Sequence, residues 1–298
     1  MPARSLKPER IARWQSDLLK SGLASGTVAD VRVTLHQVLE QPVLHELIAS
    51  NPVDRVAARK VVRGARRALV SADARKLVES ASDDRLGAAV ALLFVQGWRV
   101  SEALGLGWED LDLDAGIAVV RRAGIYVHKV GMVLGPTKNA GVSGSHHLSA
   151  GVVELLRARR KAQAAERLAR GGPWPTHTHV GQTVSRVFTN EGQTVSRVFT
   201  NERSGLVNRQ AAAKAVTRAA TRAGIDPKGT ATHTGRRTAV TVLYAQAGLG
   251  LSDIARYVGH NGEATTAGYV RSLGERPRAT AEKAASMLDP AAARRVPT

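Results

Sequence analysis

From Leu86 to Val95 the chain reads Leu-Gly-Ala-Ala-Val-Ala-Leu-Leu-Phe-Val, apolar without a break. A helix that is apolar all round must be enclosed by other elements. The run is also far short of the ~20 residues needed to cross a bilayer. A buried helix over 84–97 is therefore expected at the centre of a domain. Ala, Val and Leu dominate, and aromatics make up only 4% of residues. Small aliphatics suit helix-on-helix packing better than a large sandwich. The expected fold is mainly α with a small antiparallel sheet (α+β).

Two domains are expected from 298 residues. Residues 8–50 read as helices. Ile11, Trp14, Leu18 and Leu19 follow helical spacing, and a second helix carries Val28, Val31, Leu35, Val38 and Leu39. A third short segment holds Leu44, Leu47 and Ile48, after Pro42. A helical domain is thus placed at 1–65, a basic linker at 66–70 and a larger domain at 71–298. In the larger domain, helices are expected near 72–81, 149–170, 206–223, 236–247, 251–258 and 279–288. Two or three strands are expected within 116–148, where apolar and polar residues alternate between Gly-rich breaks.

The formal net charge is +18, from 43 basic and 25 acidic residues. A field of that sign attracts polyanions. Codon bias explains Arg replacing Lys, but not the shortage of acids that would balance them. Arg59, Lys60, Arg63, Arg66 and Arg67 belong to an acid-free run that is either a solvated linker or a track for phosphates. Lys214, Arg218 and Arg222 make a basic stripe on one helix face, either solvated or turned to the polyanion. Zero cysteines excludes disulfides, thiolate zinc sites and a Cys nucleophile. Residues 1–20 carry Arg4, Lys7, Arg10 and Arg13 with no apolar stretch after them, so neither a secretory signal nor a membrane partner is expected. His146-His147 and His177-x-His179 fall in Gly/Pro-rich loops without carboxylates at ligand spacing. They read as solvated histidines, and no metal is expected.

Gly181–Glu191 is repeated without change as Gly192–Glu202. Two identical copies do not make a solenoid. They indicate a recent tandem duplication or an error in the sequence record. The second copy, next to the following helix, is expected to hold the native position; Val187-Phe188 in the core would contradict that.

Four segments carry the chemistry: Gly97-Trp98-Arg99-Val100-Ser101-Glu102, Pro136-Thr137-Lys138, His233-Thr234-Gly235-Arg236-Arg237-Thr238, and Gly259-His260 followed by Tyr269. They supply two guanidiniums, an ammonium, two imidazoles and a phenol. Arg forks suit the non-bridging oxygens of a phosphodiester, where charge grows in the transition state. A phenol is only ~0.1% ionised at neutral pH, so as a nucleophile it needs cations and a base nearby.

In this order the segments resemble the tyrosine recombinase (bacteriophage integrase) pattern of Arg, Lys, His-x-x-Arg, His and Tyr. Arg99-Val100-Ser101-Glu102-Ala103-Leu104 with Trp108-Glu109-Asp110-Leu111, and Gly259-His260 with Thr265-Thr266-Ala267-Gly268-Tyr269, are especially close to it. The resemblance covers about 85–272, and residues 14–52 resemble the later part of the family's core-binding domain. It implies that Arg99 and Arg236 clamp the scissile phosphate and that Lys138 is the general acid on a hairpin turn, with Lys129 as alternative. His233 would be a base or proton carrier, His260 a phosphate hydrogen-bond donor and Glu102 an orienter. Tyr269 would form a 3′-phosphotyrosyl link, without metal, ATP or other cofactor. The implied partners are double-stranded DNA attachment sites and three further copies in a tetramer on a Holliday junction, with a monomer in solution as one state. The implied location is the bacterial cytoplasm, at the nucleoid. The family more often shows Lys-Thr followed by Ser-x-Arg; here Thr137-Lys138 and Ser145-His146-His147 stand instead. Arg237 replaces a histidine often found after the second arginine. The helical domain is short, and a short form lacking an arm-site-binding domain is expected. A Xer-like resolvase, a type IB topoisomerase-like enzyme and a non-catalytic DNA-binding regulator are the alternatives.

Overall fold

The computed structural model describes residues 3–59, 61, 67–137, 145–171, 177–178, 194–260 and 262–270. It divides into two compact units, Met1–Arg66 and Arg67–Thr298.

The first unit is built on α1 (Pro8–Lys20) and α2 (Ser25–Leu44). Pro8 opens α1, where its missing N–H has no intrahelical use. Ile11, Leu39, Val53 and Val56 form a small core with Trp14 and Leu35 against it. Buried Asn51 ties the segment after α2 back to it, donating to the His36 carbonyl at 3.0 Å and the Glu40 carboxylate at 2.7 Å. The expected third helix is absent among these residues. Instead α2 runs through Pro42 and ends at Leu44, because a proline in the last turn removes only one hydrogen bond. The Leu47 amide then closes a turn on the Pro42 carbonyl at 2.8 Å.

The second unit opens with α3 (Ser71–Ser80), α4 (Gly87–Phe94) and α5 (Val100–Leu104). Every residue of α4 is buried, as an all-apolar helix requires. Among the described residues, 116–148 form four strands rather than two or three, and a fifth precedes them at 111–112. β1 (Leu111–Asp112), β2 (Ile117–Val119) and β5 (Ser145–His147) make one antiparallel sheet, with β2 central and Ala118 opposite His146. β3 (Arg122–Val127) and β4 (Gly131–Pro136) make a separate hairpin. Helix α6 (Ala150–Arg170), the short pair β6 (His177–Thr178) and β7 (Thr194–Val195), and α7 (Arg209–Arg222) follow. Asn208 caps α7 through its side chain at 2.8 Å. The chain closes its described part with α8 (Thr232–Ala245), α9 (Leu251–Val258) and α10 (Glu263–Val270). α4 packs against α6, α7 and α8. Residues 279–288 lie outside the described residues.

Arg67 to Val70, expected in a linker, are attached to the second unit. Arg67 donates to the Asp226 carbonyl at 2.9 Å, and the buried Leu69 amide donates to Thr238 Oγ1 at 2.9 Å. Val198 and Phe199 of the second repeat copy sit in the core at 0% and 1% exposure, as expected of that copy. The reason is local. Asn201 Oδ1 accepts from the amides of Arg203 and Gly205, and the Asn201 amide donates to the Gly205 carbonyl. That turn needs Arg203-Ser204-Gly205 directly after the copy, and only the second copy has it. Val187 and Phe188 lie outside the described residues.

Candidate active site

Helix α5 places Arg99 at its N-cap, and Glu102 binds that residue twice. One carboxylate oxygen accepts from the Arg99 backbone N–H at 2.8 Å, the other from the Arg99 guanidinium at 2.6 Å. A single glutamate thus starts the helix and aims the arginine.

Arg236 lies in the second turn of α8 and is 2% exposed. Its NH1 donates to the Gly97 carbonyl at 2.9 Å and its NH2 to the Gly259 carbonyl at 3.3 Å. Both glycines have left-handed backbones, at φ +66, which a side chain would strain. These two turns deliver carbonyl oxygens to the same guanidinium. Arg99 also reaches the Gly259 carbonyl at 3.5 Å. The Glu102 carboxylate is 4.0 Å from Arg236. Burial, and after it the Arg99 charge, lower the Arg236 pKa to about 10, so it stays cationic at neutral pH.

The Arg236 Nε–H donates to His260 Nε2 at 3.0 Å. A guanidinium cannot accept, so His260 Nε2 is the acceptor and Nδ1 carries the proton. Nδ1 then donates to Thr266 Oγ1 at 2.7 Å. Burial, with the Arg236 and Arg99 charges, lowers the His260 pKa to about 3 and keeps it neutral. Both ring nitrogens are engaged within the protein. In this arrangement His260 orients Arg236 rather than presenting an N–H to a phosphate.

Tyr269, on α10, stacks on His260 with ring centroids 5.4 Å apart and planes 14° from parallel. It also lies within electrostatic range of Arg236. Arg99, Glu102, Arg236, His260 and Tyr269 thus gather in one place, from positions scattered over 99–269. His233 sits in the first turn of α8, exposed, three residues before Arg236. Arg209 NH2 lies 3.5 Å from its Nε2.

Lys138 lies outside the described residues. Thr137 lines a small cleft with Arg99, Glu102, Val120, His146, Val258 and Gly259. Lys129, the alternative, sits exposed at the tip of the β3–β4 hairpin.

His146 is not a solvated loop residue. It belongs to β5, is half-buried, and meets the Trp98 ring edge-on at 5.4 Å. Burial lowers its pKa. Nothing in the spacing of the sequence shows this, because the strand pairing that carries His146 to the site is long-range. His147, also on β5, is exposed, and His179 lies outside the described residues. Thr266 and the carbonyls of Gly97 and Gly259 were equally hidden.

Of the basic residues expected to meet DNA, Arg59 is exposed and donates to Ser16 Oγ at 2.8 Å. Lys60, Arg63 and Arg66 lie outside the described residues. Lys214 is exposed on α7, while Arg218 and Arg222 pair with half-buried Asp84 at 2.7 and 3.5 Å. Among the described residues one trio could hold a metal, His36, Glu40 and Asp54 of the first unit, whose ligand atoms lie within 4.8 Å of one another. Its shortest internal contact is the 2.8 Å pair of His36 and Asp54.

A mainly helical unit with paired arginines, a glutamate between them and a tyrosine on a late helix defines a narrow class of proteins. The sequence pattern of the phage integrase family matches residues 67–276, and the chain belongs to that family. It is 34% identical over 124 residues to the tyrosine recombinase XerC of Thermodesulfovibrio yellowstonii, a match over 40% of this chain and 41% of that one. It is 38% identical over 80 residues to XerC of Xanthomonas campestris pv. campestris, over 26% and 25% of the two chains. The chain therefore spans less than half the length of these curated relatives. Its fold matches the Tn1549 transposon integrase in complex with transposon right end DNA, with TM-score 0.73, 17% identity, and coverage of 97% of this chain and 87% of that one. A lambda integrase dimer bound to a COC' core site gives TM-score 0.61 and 17% identity, over 93% and 83%.

Proposed function

We propose that the chain is a site-specific DNA recombinase that cuts and rejoins double-stranded DNA through Tyr269. The stacking of Tyr269 on His260, itself bonded to Arg236 beside Arg99, is the observation that carries the reading. The Tyr269 phenol oxygen attacks the phosphorus, an O–P bond forms and the bond to the 5′ oxygen breaks. Arg99 and Arg236 neutralise the non-bridging oxygens, the task a metal performs in other phosphoryl transfers. The phenol proton passes to His233, and Lys138 protonates the leaving 5′ oxygen. The phosphotyrosyl link keeps the energy of the broken bond, so rejoining by a second strand's 5′ hydroxyl needs no ATP or cofactor.

The first unit, with Arg59, Lys60, Arg63 and Arg66, and the second unit's Arg67, Lys214, Arg218 and Arg222 would hold the flanking DNA by its phosphates. For Arg218 and Arg222 this requires exchanging Asp84 for a phosphate. Four copies on two sites would form the recombining assembly, acting on DNA in the bacterial cytoplasm. A Xer-type resolvase is the second reading, favoured by the XerC relatives; the DNA product distinguishes the two.

The test uses nicked duplex carrying the attachment site recovered from the DNA flanking the gene. Wild type should give an SDS-stable protein–DNA adduct and Tyr269→Phe none. An adduct that survives in Tyr269→Phe, or its absence from wild type on every flanking site, overturns the reading.

A further inference from the structure

We infer that Arg237 is a positioning residue for the nucleophile, holding the Tyr269 ring in place for attack. The inference rests on the proposed reading of Tyr269. Successive residues on a helix point about 100° apart, so the Arg236 and Arg237 guanidiniums leave the helix in different directions. Arg236 turns inward to His260 and the two glycine carbonyls. Arg237 stays half-buried and lays its guanidinium carbon over the Tyr269 ring, 5.8 Å from the centroid. That is within the ~6 Å reach of a cation–π contact. The guanidinium is also tied to the backbone, since NH1 donates to the Arg67 carbonyl at 3.4 Å.

The ring packs against the Val240, Ile254 and Val258 cluster, and two further neighbours differ in character. His260 stacks on it as a neutral imidazole, because its Nε2 accepts from Arg236 and its Nδ1 donates to Thr266. Arg237 supplies a fixed positive charge. As the phenol gives up its proton during attack, electron density on the ring rises, and its attraction to a cation rises with it. An interaction stronger in the transition state than in the ground state speeds the chemical step. A histidine here, as the family often shows, would carry such a charge only when protonated; arginine carries it at every working pH. α10 buries only Thr266 fully, so contacts made by the tyrosine itself matter to where its hydroxyl points.

Arg237→Gln and Arg237→Lys would be compared with wild type in the full chain on nicked attachment-site DNA. Single-turnover adduct formation at saturating DNA, DNA affinity and thermal midpoint would be measured. Arg237→Gln should form adduct about tenfold more slowly, with affinity unchanged and the midpoint within about 2 °C of wild type. Arg237→Lys should recover most of the rate. Wild-type rates in Arg237→Gln overturn the inference, as does a loss that appears only as weaker DNA binding. A Lys variant as slow as the Gln variant also overturns it. Should Arg237→Gln fold poorly, the Lys variant against Arg237→Met gives the same comparison. Absence of adduct from wild type would instead be failure of the Tyr269 reading itself, so the two failures stay distinct.

Discussion

Arg85 and Arg159 share Glu166, and Arg99 and Arg236 share Glu102, yet the two clusters finish in different electrostatic states. Around Glu166 both arginines reach the carboxylate, Arg85 at 2.6 and 2.7 Å and Arg159 at 2.9 Å. Their remaining donors meet the carbonyls of Val198, Thr200 and Asn201 and the Thr200 hydroxyl. Burial raises the Glu166 pKa, but the Arg159 hydrogen bond and the two positive charges outweigh it and bring it below the ordinary value. This cluster is a brace between α6 and the segment after β7. Around Glu102 the carboxylate is taken up by Arg99 and the α5 N-terminus. Arg236 is left with an imidazole lone pair and two carbonyls, all neutral. A buried guanidinium with only neutral acceptors at hydrogen-bond distance is prepared for an anion from outside. The same residue types make a strut or a binding site according to whether a carboxylate is within reach of every fork.

Arginine deletions test this most severely. Arg236→Ala should slow adduct formation by about 10²–10³, the scale of losing one transition-state charge donor; removing a buried charge offsets the loss of its bonds to Gly97, Gly259 and His260, so its thermal midpoint should fall less than that of Arg85→Ala. Arg85→Ala should do the reverse. Breaking its ties to Glu166, Thr200 and Asn201 costs about 1–3 kcal/mol, read as a midpoint several degrees lower, while the folded fraction still forms adduct. Similar midpoint losses in both variants, with adduct formation intact, would break the distinction.

Glu102→Gln probes the same contrast more gently. It removes the charge that fixes Arg99 while keeping an acceptor for the α5 amide. Adduct formation should fall about tenfold as Arg99 loses its aim. DNA binding should hold or tighten, since a negative charge has left the phosphate site. Weaker binding together with an unchanged rate would contradict the orienting role of Glu102.

The clusters also separate on the pH axis. His260, held to about 3 in the folded chain, takes up a proton near 6.5 when unfolded. Below 6.5 the unfolded state therefore binds more protons, and stability falls as pH drops toward 3, by up to about 1.4 kcal/mol per pH unit. His146, also depressed by burial, adds to the loss in the same direction. Glu166 acts in a lower window. Its depressed folded pKa gives stability present above about 4.5 and lost as pH falls below that. Thermal midpoints should thus begin to fall between pH 6.5 and 5 in wild type, and His260→Asn should fall less steeply there. An equal slope in both would place the early loss elsewhere.

How much of this the sequence reveals depends on the range of the forces involved. The all-apolar run placed α4 in the core, because burial of a whole helix is written in its composition. Arg99, Arg236, His260 and Tyr269 were identifiable from their order along the chain, and the structure brings them together. Their partners were not. Gly259 matters through its carbonyl, Thr266 through a hydroxyl aimed at a ring, and His146 through a strand pairing with Ala118. Such roles come from tertiary geometry and leave no periodicity behind. Pro42 misled for the opposite reason: proline breaks helix interiors, but α2 carries it in its last turn, where the local rule loses its force. Arg218 and Arg222 read as a free basic stripe because their acid, Asp84, is more than a hundred residues away in sequence.

The smallest expected effect tests the brace alone. Its acceptors Val198, Thr200 and Asn201 all belong to the second repeat copy. Because the copies are identical and adjacent, deleting residues 181–191 or 192–202 yields the same shortened chain. In either description the surviving copy precedes Arg203-Ser204-Gly205, so the Asn201 turn, the buried Val198-Phe199 pair and the ties to Arg85 and Arg159 can all form as before. What changes is the length of chain to be closed between α6 and those contacts. Loop-closure entropy changes slowly with length, so the gain in stability should be at most about 0.6 kcal/mol, a midpoint rise of about 1–2 °C. Adduct formation should not change, since no residue of either copy touches Arg99, Arg236 or Tyr269 among the described contacts. A shortened chain that lost more than about 1 kcal/mol would mean that both copies bear structure, and that the brace is not the work of the second alone.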